Sequence, residues 1–407
     1  MADLTSMTSM TSMTSMTSMT SMTGRGAPTG LAALAGLYGD PLVTEALIGA
    51  AARDSPQTPS PALPAALFPQ RVGDYAPGHL PGTDDPEQLA RWQPEVRGHI
   101  CARELHAGLH FLPDQQSRGQ TVFGLYCVAL DPIGAAPTDG VAKPQVAMLQ
   151  PVAVLERPTR SHFDAQLGLV LAHARSDQRR ARMAEIISQV LPQVPFWSSL
   201  LPLSPWRTPH TYEFVGIALK FGMEICHRFK HALAVTRPSE LSPLVQPILQ
   251  TPGWSAFPSG HATEAFLFIA LMRELLYPQE PATPPGGGPL ALLDEALQGQ
   301  ARSIADNRVY AGLHFPVDGV AGRLLGQALA EYVIARCTGS DWTPRRFIAD
   351  QVPDGVVLNT SLSLSGGAAA PYYEAHAPLG KAAANPILNL MWGRARTELA
   401  GLGFGQP

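Results

Sequence analysis

The chain has 407 residues, 45% of them hydrophobic, enough to bury the core of one large domain or two smaller ones. Its formal net charge is −4 and no basic block is interleaved with aromatic residues, which argues against a nucleic-acid partner. Four widely spaced cysteines, Cys101, Cys127, Cys226 and Cys337, form no CxxC pair and read as buried thiols rather than a zinc ribbon or disulfide scaffold.

Residues 5–22 are six Thr-Ser-Met triplets, too polar and uniform to bury a unique face, so disorder is expected over 1–29. The tract lacks the charged start and apolar stretch of a secretory signal, which makes cytoplasmic the default location, although apolar Leu31–Ala52 leaves export open. No run of about 18 uncharged apolar residues occurs, so no membrane span is expected.

Pro and Gly interrupt residues 24–88, with one helix expected at Pro41–Arg53. Thr121–Leu130 and Val146–Leu155 carry strand-like residues that would form a small hairpin or lie on a helical core. Apolar residues three and four apart then predict helices over Arg160–Arg175, Asp177–Leu191, Thr211–Phe229, 260–277, Ala291–Arg308 and 317–336, with a loop at Pro278–Pro289. An alternating stretch at Gly355–Leu364 and a short helix near Asn385–Leu399 close the chain. The expectation is a mainly α-helical protein with minor β or irregular segments. In it, a helical part at 30–199 packs on a core at 200–340, and an extension at 341–407 braces that core or an oligomer contact. The sequence leaves self-association open.

Cationic and hydrogen-bonding residues concentrate in Lys230–Pro238 (KHALAVTRP), Pro258–His261 (PSGH) and Arg308–Asp318 (RVYAGLHFPVD). Together these hold three positive charges, Lys230, Arg237 and Arg308, with the Ser259 hydroxyl, the Gly260 amide and the imidazoles of His261 and His314. Burying three such charges side by side is strongly unfavourable unless a multiply charged anion lies between them. Arginine's fork suits oxyanion oxygens, lysine acts as a point charge, and the helix starting at Ser259 and Gly260 would aim free amides at the same anion. Any one of these residues alone reads more simply as a solvated charge or a helix-end imidazole, and only their joint spacing overturns that. Ala107–Asp114 (AGLHFLPD) nearly copies Ala311–Asp318 (AGLHFPVD), but Glu104 stands where Arg308 would be and no PSGH precedes it. His106 and His110 stand four apart like a metal pair, yet without an evident third ligand they read as structural.

The order Lys-x6-Arg-Pro, Pro-Ser-Gly-His, Arg-x5-His-x3-Asp resembles the vanadium-dependent haloperoxidase and type 2 phosphatidic acid phosphatase superfamily, over roughly residues 200–336. One departure is Asn307, where many members carry Ser, and Asn can still donate and accept hydrogen bonds. The resemblance implies the helical bundle of the haloperoxidase and acid phosphatase type, and two chemistries in one cage. With vanadate as cofactor, His314 would be its protein ligand. Lys230, Arg237, Ser259, Gly260 and Arg308 would hold its oxygens, and Asp318 would fix the His314 tautomer. His261 would serve as acid–base group and Lys230 would polarise bound peroxide, so that hydrogen peroxide and halide yield hypohalous acid. With phosphate as substrate in the same site, His314 would be the nucleophile and His261 the general acid.

The missing membrane span and the long helical N-terminal half favour the haloperoxidase side, with a soluble acid phosphatase next and a non-catalytic oxyanion binder third. Trp254, five residues before Ser259, and His227, three before Lys230, would stand near a halide pocket, bromide or iodide being the expected halide. A bulky indole there suits iodide or a small organic substrate, or simply packs the loop.

Overall fold

A computed structural model describes residues 85–90, 92–114, 121–129, 148–190, 193–278, 289–353, 372–375 and 384–404. The Thr-Ser-Met tract, the helix expected at Pro41–Arg53, most of the 278–289 loop and the alternating stretch at 355–364 lie outside the described residues.

The protein is mainly α-helical with a small sheet. Short α1 (Pro86–Leu89) and α2 (Pro94–His106) lead into β1 (Leu109–Pro113), β2 (Val122–Ala129) and β3 (Met148–Glu156). The expected hairpin is present as the antiparallel β2–β3 pair, and β1 adds to its other side. Beyond β3 lie β4 (Arg345–Phe347), parallel to it, and β5 (Tyr373–Ala375), so the sheet order is β1-β2-β3-β4-β5.

Four short or medium helices follow β3: α3 (Arg160–Ala174), α4 (Asp177–Ala181), α5 (Met183–Ser188) and α6 (Val194–Ser198). The helix expected as one piece over 177–191 is therefore broken, at Arg182. Arg182 takes backbone angles of −88° and −4°, and its guanidinium reaches across to Asn307 Oδ1 at 2.9 Å.

The core is formed by α7 (Pro209–Leu233), α9 (Gly260–Leu276), α10 (Pro289–Tyr310) and α11 (Pro316–Thr338), with short α8 (Pro238–Leu241) after α7. Proline at the first turn of α7 and α11 costs no hydrogen bond, because those amides have no helical partner, and it sets the starting φ. The Ser259 side chain accepts the Ala262 N–H and so starts α9. Left-handed Gly339 ends α11.

Helices α9 and α11 lie backbone to backbone. A Cβ placed on Gly322 would stand 2.5 Å from Ser259 O and 2.8 Å from the Ala262 Cβ, so only glycine allows this approach. Phe221, Phe229, Phe257, Phe266, Phe268 and Phe315 are fully buried around it. On the far side α12 (Pro386–Gly401), capped by the Asn385 side chain, lays Ile387, Leu388, Met391 and Trp392 on the core. Among the described residues no helix is long and apolar enough to cross a membrane.

Candidate active site

Each of the three sequence clusters ends or begins a helix, and those helix ends meet. Lys230 occupies the last turn of α7, which stops at Ala234 in a left-handed conformation whose N–H bonds Lys230 O. That turn brings Arg237 back beside it. Arg308 stands near the end of α10, His314 in the turn between α10 and α11, and Asp318 in the first turn of α11. Ser259 N donates to Asp318 O at 2.8 Å, tying the start of α9 to the start of α11.

Lys230, Arg237 and Arg308 are 3%, 2% and 1% exposed, and among the described residues none meets a carboxylate at ion-pair distance. The Lys230 ammonium donates to the carbonyls of Ser255, Ala256 and Pro258 at 3.0, 3.0 and 2.6 Å. Its three protons are thereby engaged, and it acts on the cavity through its field. Arg237 donates to Trp254 O, Ser255 O and Leu313 O, and from Nη1 to His314 Nε2 at 3.0 Å. Arg308 Nη2 donates to Ile186 O and Gln189 Oε1, while among the described residues its buried Nε has no partner. Burial lowers all three cations, the two arginines to about 10.

The contacts decide the state of His314. Its Nδ1 lies 3.0 Å from Asp318 Oδ2, which also accepts the Phe315 N–H, so Nδ1 carries the proton. Its Nε2 faces Arg237, which can only donate, so Nε2 keeps its lone pair. Burial first, then the charges of Arg237 and Lys230, hold the ring neutral and well below its ordinary range. Burial pushes Asp318 up, opposed by the Phe315 N–H and by the Lys230 and Arg237 charges.

His261 Nε2 lies 2.9 Å from Gln189 O, an acceptor only, so Nε2 is protonated and Nδ1 is the free acid–base position. Burial and the nearby Arg308 push this imidazole down to about 3.

These groups open on a cavity of about 760 Å3, lined among others by Lys230, Arg237, Gly260, His261, Arg308 and His314. Ser259 is fully buried and not part of that lining, and its oxygen caps α9. Asp318 lies behind His314 and reaches the cavity through it. Trp254 lines the cavity, while His227 stands edge-on to its indole, ring centroids 5.7 Å apart, without lining the cavity itself.

Two site residues escape a reading of the three motifs. Gln189 accepts from Arg308 and Asn307 through Oε1 and from His261 through its carbonyl, orienting two members of the cage at once. Nothing in its own sequence surroundings marks it. Glu264 lines the same cavity, and its signal was available: a carboxylate three residues after His261, where an apolar run begins. The copied motif serves elsewhere. His106 pairs with Glu224 Oε2 at 2.7 Å, and His110 is exposed on β1.

In this mainly helical protein, buried cations, a helix start and two imidazoles converge on one cavity. Residues 213–339, about a third of the chain, match the family model of the PAP2 superfamily, and that segment is similar to its phosphatases and haloperoxidases. No curated protein matches the chain.

Proposed function

We propose that the protein is a vanadate-dependent haloperoxidase that oxidises bromide or iodide with hydrogen peroxide. The observation that carries this reading is the burial of three cations with, among the described residues, no carboxylate at ion-pair distance from any of them. A resident anion offsets that cost permanently, whereas a substrate phosphate would offset it only between arrival and release.

The residues present fit a vanadate oxyanion. The Arg308 Nε, unpartnered among the described residues, would give it a donor, and the His314 Nε2 lone pair would give it a ligand once the Arg237 guanidinium that now donates to it turns to the anion's oxygens; Lys230 and the Gly260 amide add positive charge. Bound there, vanadate supplies the activation of peroxide toward halide. The remaining work belongs to side chains. Asp318 holds the His314 proton on Nδ1, keeping Nε2 unprotonated. Arg237 and Arg308 neutralise the anion's oxygens, and Lys230 raises the local positive potential without leaving its carbonyls. His261 takes and returns protons at Nδ1 while Gln189 holds its Nε2. Trp254 presents an apolar, polarisable wall to the halide.

The second reading, a phosphatase acting through a phosphohistidine, is supported by the same His314 lone pair, which suits a nucleophile as well as a ligand. Purified protein given orthovanadate, hydrogen peroxide and iodide or bromide should form hypohalous acid. A parallel assay with p-nitrophenyl phosphate and no vanadate tests phosphate release. Phosphate release without halogenation replaces the first reading with the second, and anion binding with neither activity leaves a non-catalytic binder. His314→Ala should abolish whichever activity is present, and an active variant would remove the site assignment.

A further inference from the structure

The cavity is larger than an oxyanion requires. At about 760 Å3 it falls among sites that enclose whole organic ligands, roughly 300–1,000 Å3. Five atoms the size of a water molecule occupy about 150 Å3. Val190, Met223, Leu249, Trp254 and Leu313 wall the remainder, an apolar surface suited to a carbon skeleton.

Into this cavity α9 also places Glu264, the only carboxylate among the described residues that line it. Its contact is with Gln193 Nε2 at 3.4 Å, a donor shared with His261 O at 3.2 Å. Among the described residues no Lys, Arg or His meets it at ion-pair distance. Burial drives its carboxyl up to about 8, and the charged and imidazole groups on the same cavity, Lys230, Arg237, Arg308, His261 and His314, do not offset that burial. A carboxyl that burial holds protonated for want of an ion-pairing cation is the counterpart of three cations without an anion, and a ligand of opposite charge answers both.

We propose that the cavity binds an organic ammonium beside the oxyanion, with Glu264 as its counter-ion and the apolar wall around its carbon skeleton. The inference rests on the cage holding an oxyanion, but not on which chemistry follows. Once that anion neutralises the cage, the cations no longer oppose an ammonium, and the Trp254 ring on the same cavity favours a cationic guest.

The test is calorimetric titration of the full chain, free of vanadate, at neutral pH. The probes are ω-aminoalkylphosphonates of increasing length, each compared with the alkylphosphonate of equal length, because the P–C bond resists hydrolysis. At one length the amine should bind about tenfold tighter than its alkyl partner, equivalent to 1.4 kcal/mol. Binding should also release more protons than the alkyl partner does, the excess coming from Glu264 as it ionises, seen as a difference in how the two heats change with the buffer's ionisation enthalpy. Glu264→Gln should remove both effects and leave methylphosphonate affinity intact. Equal affinities at every length, or an advantage that survives in Glu264→Gln, would overturn the proposal. If that variant does not fold, the wild-type excess of proton release over the alkyl partner decides, and its absence counts against the proposal. Failure of methylphosphonate itself to bind would remove the oxyanion reading, and this inference with it.

Discussion

Arg308→Met separates what the cage costs the fold from what it gives the site. Burial lowers the Arg308 guanidinium to about 10. At about 1.36 kcal/mol per pKa unit, the charge costs the fold roughly 3 kcal/mol. Against this, the side chain donates to Ile186 O at 3.1 Å and Gln189 Oε1 at 2.8 Å. Gln189 Oε1 keeps its bond from Asn307 Nδ2 at 3.0 Å, so the substitution strips one acceptor, Ile186 O. That loss costs about 1–3 kcal/mol, and methionine refills most of the volume. Without an anion, the variant should therefore be as stable as the wild type or up to about 2 kcal/mol more so. With phosphate at one hundred times its dissociation constant, the wild type should gain about 2.7 kcal/mol and the variant almost nothing. Urea unfolding of both proteins, with and without phosphate or orthovanadate, reads all four numbers. A loss beyond about 3 kcal/mol in the anion-free variant would mean that Arg308 is structural, and undiminished phosphate stabilisation would mean that it does not face the anion.

Between about pH 6.5 and 3 the unfolded chain protonates His261 while the anion-free fold does not, so stability should fall as pH falls through that window. Phosphate should flatten the slope by cancelling the cage charges, and His261→Gln should reduce it; melting temperatures across pH that show an identical slope in the variant would contradict the buried, cation-flanked imidazole. Gly322→Ala forces a methyl group to 2.5 Å from Ser259 O, so α9 and α11 must part; unfolding should show a loss of about 1–3 kcal/mol or more and weaker phosphate binding, and an unchanged midpoint would refute the close approach. Under the haloperoxidase reading, Trp254→Ala should lower the iodide-to-bromide rate ratio about tenfold, and an unchanged ratio would take Trp254 out of the halide's path.

Much of the core was legible because its signals are local. Apolar spacing placed α9 and α11 within about two residues of their observed ends, and the charge argument assembled Lys230, Arg237, Arg308 and His314 without knowledge of the fold. Interactions that depend on distant backbone were not legible. The saturation of Lys230 by three carbonyls of the 255–258 segment depends on how that segment folds over α7. Gln189 owes its role to a helix break at Arg182 that apolar periodicity passes over. The sheet was undercounted for a similar reason: β4 joins β3 in parallel from nearly two hundred residues away, and no local pattern announces such a pairing.

The near-repeat of eight residues isolates what makes a histidine part of the site. Both copies begin alike: Gly108 and Gly312 take left-handed φ values of 77° and 78°, each just after a helix. They diverge at the proline. In the second copy Pro316 directly follows Phe315 and opens α11, which places Asp318 where its carboxylate accepts both the Phe315 N–H and the His314 Nδ1 proton. In the first copy Leu112 intervenes, the chain stays extended through Pro113, and Asp114 turns to Arg346 instead. His110 is left exposed on a strand, where among the described residues no carboxylate sets its tautomer and no cation faces its other nitrogen. The chemistry of the third motif therefore depends less on its histidine than on a proline placed to start a helix, because that helix aims the aspartate which keeps the His314 lone pair turned toward the cage.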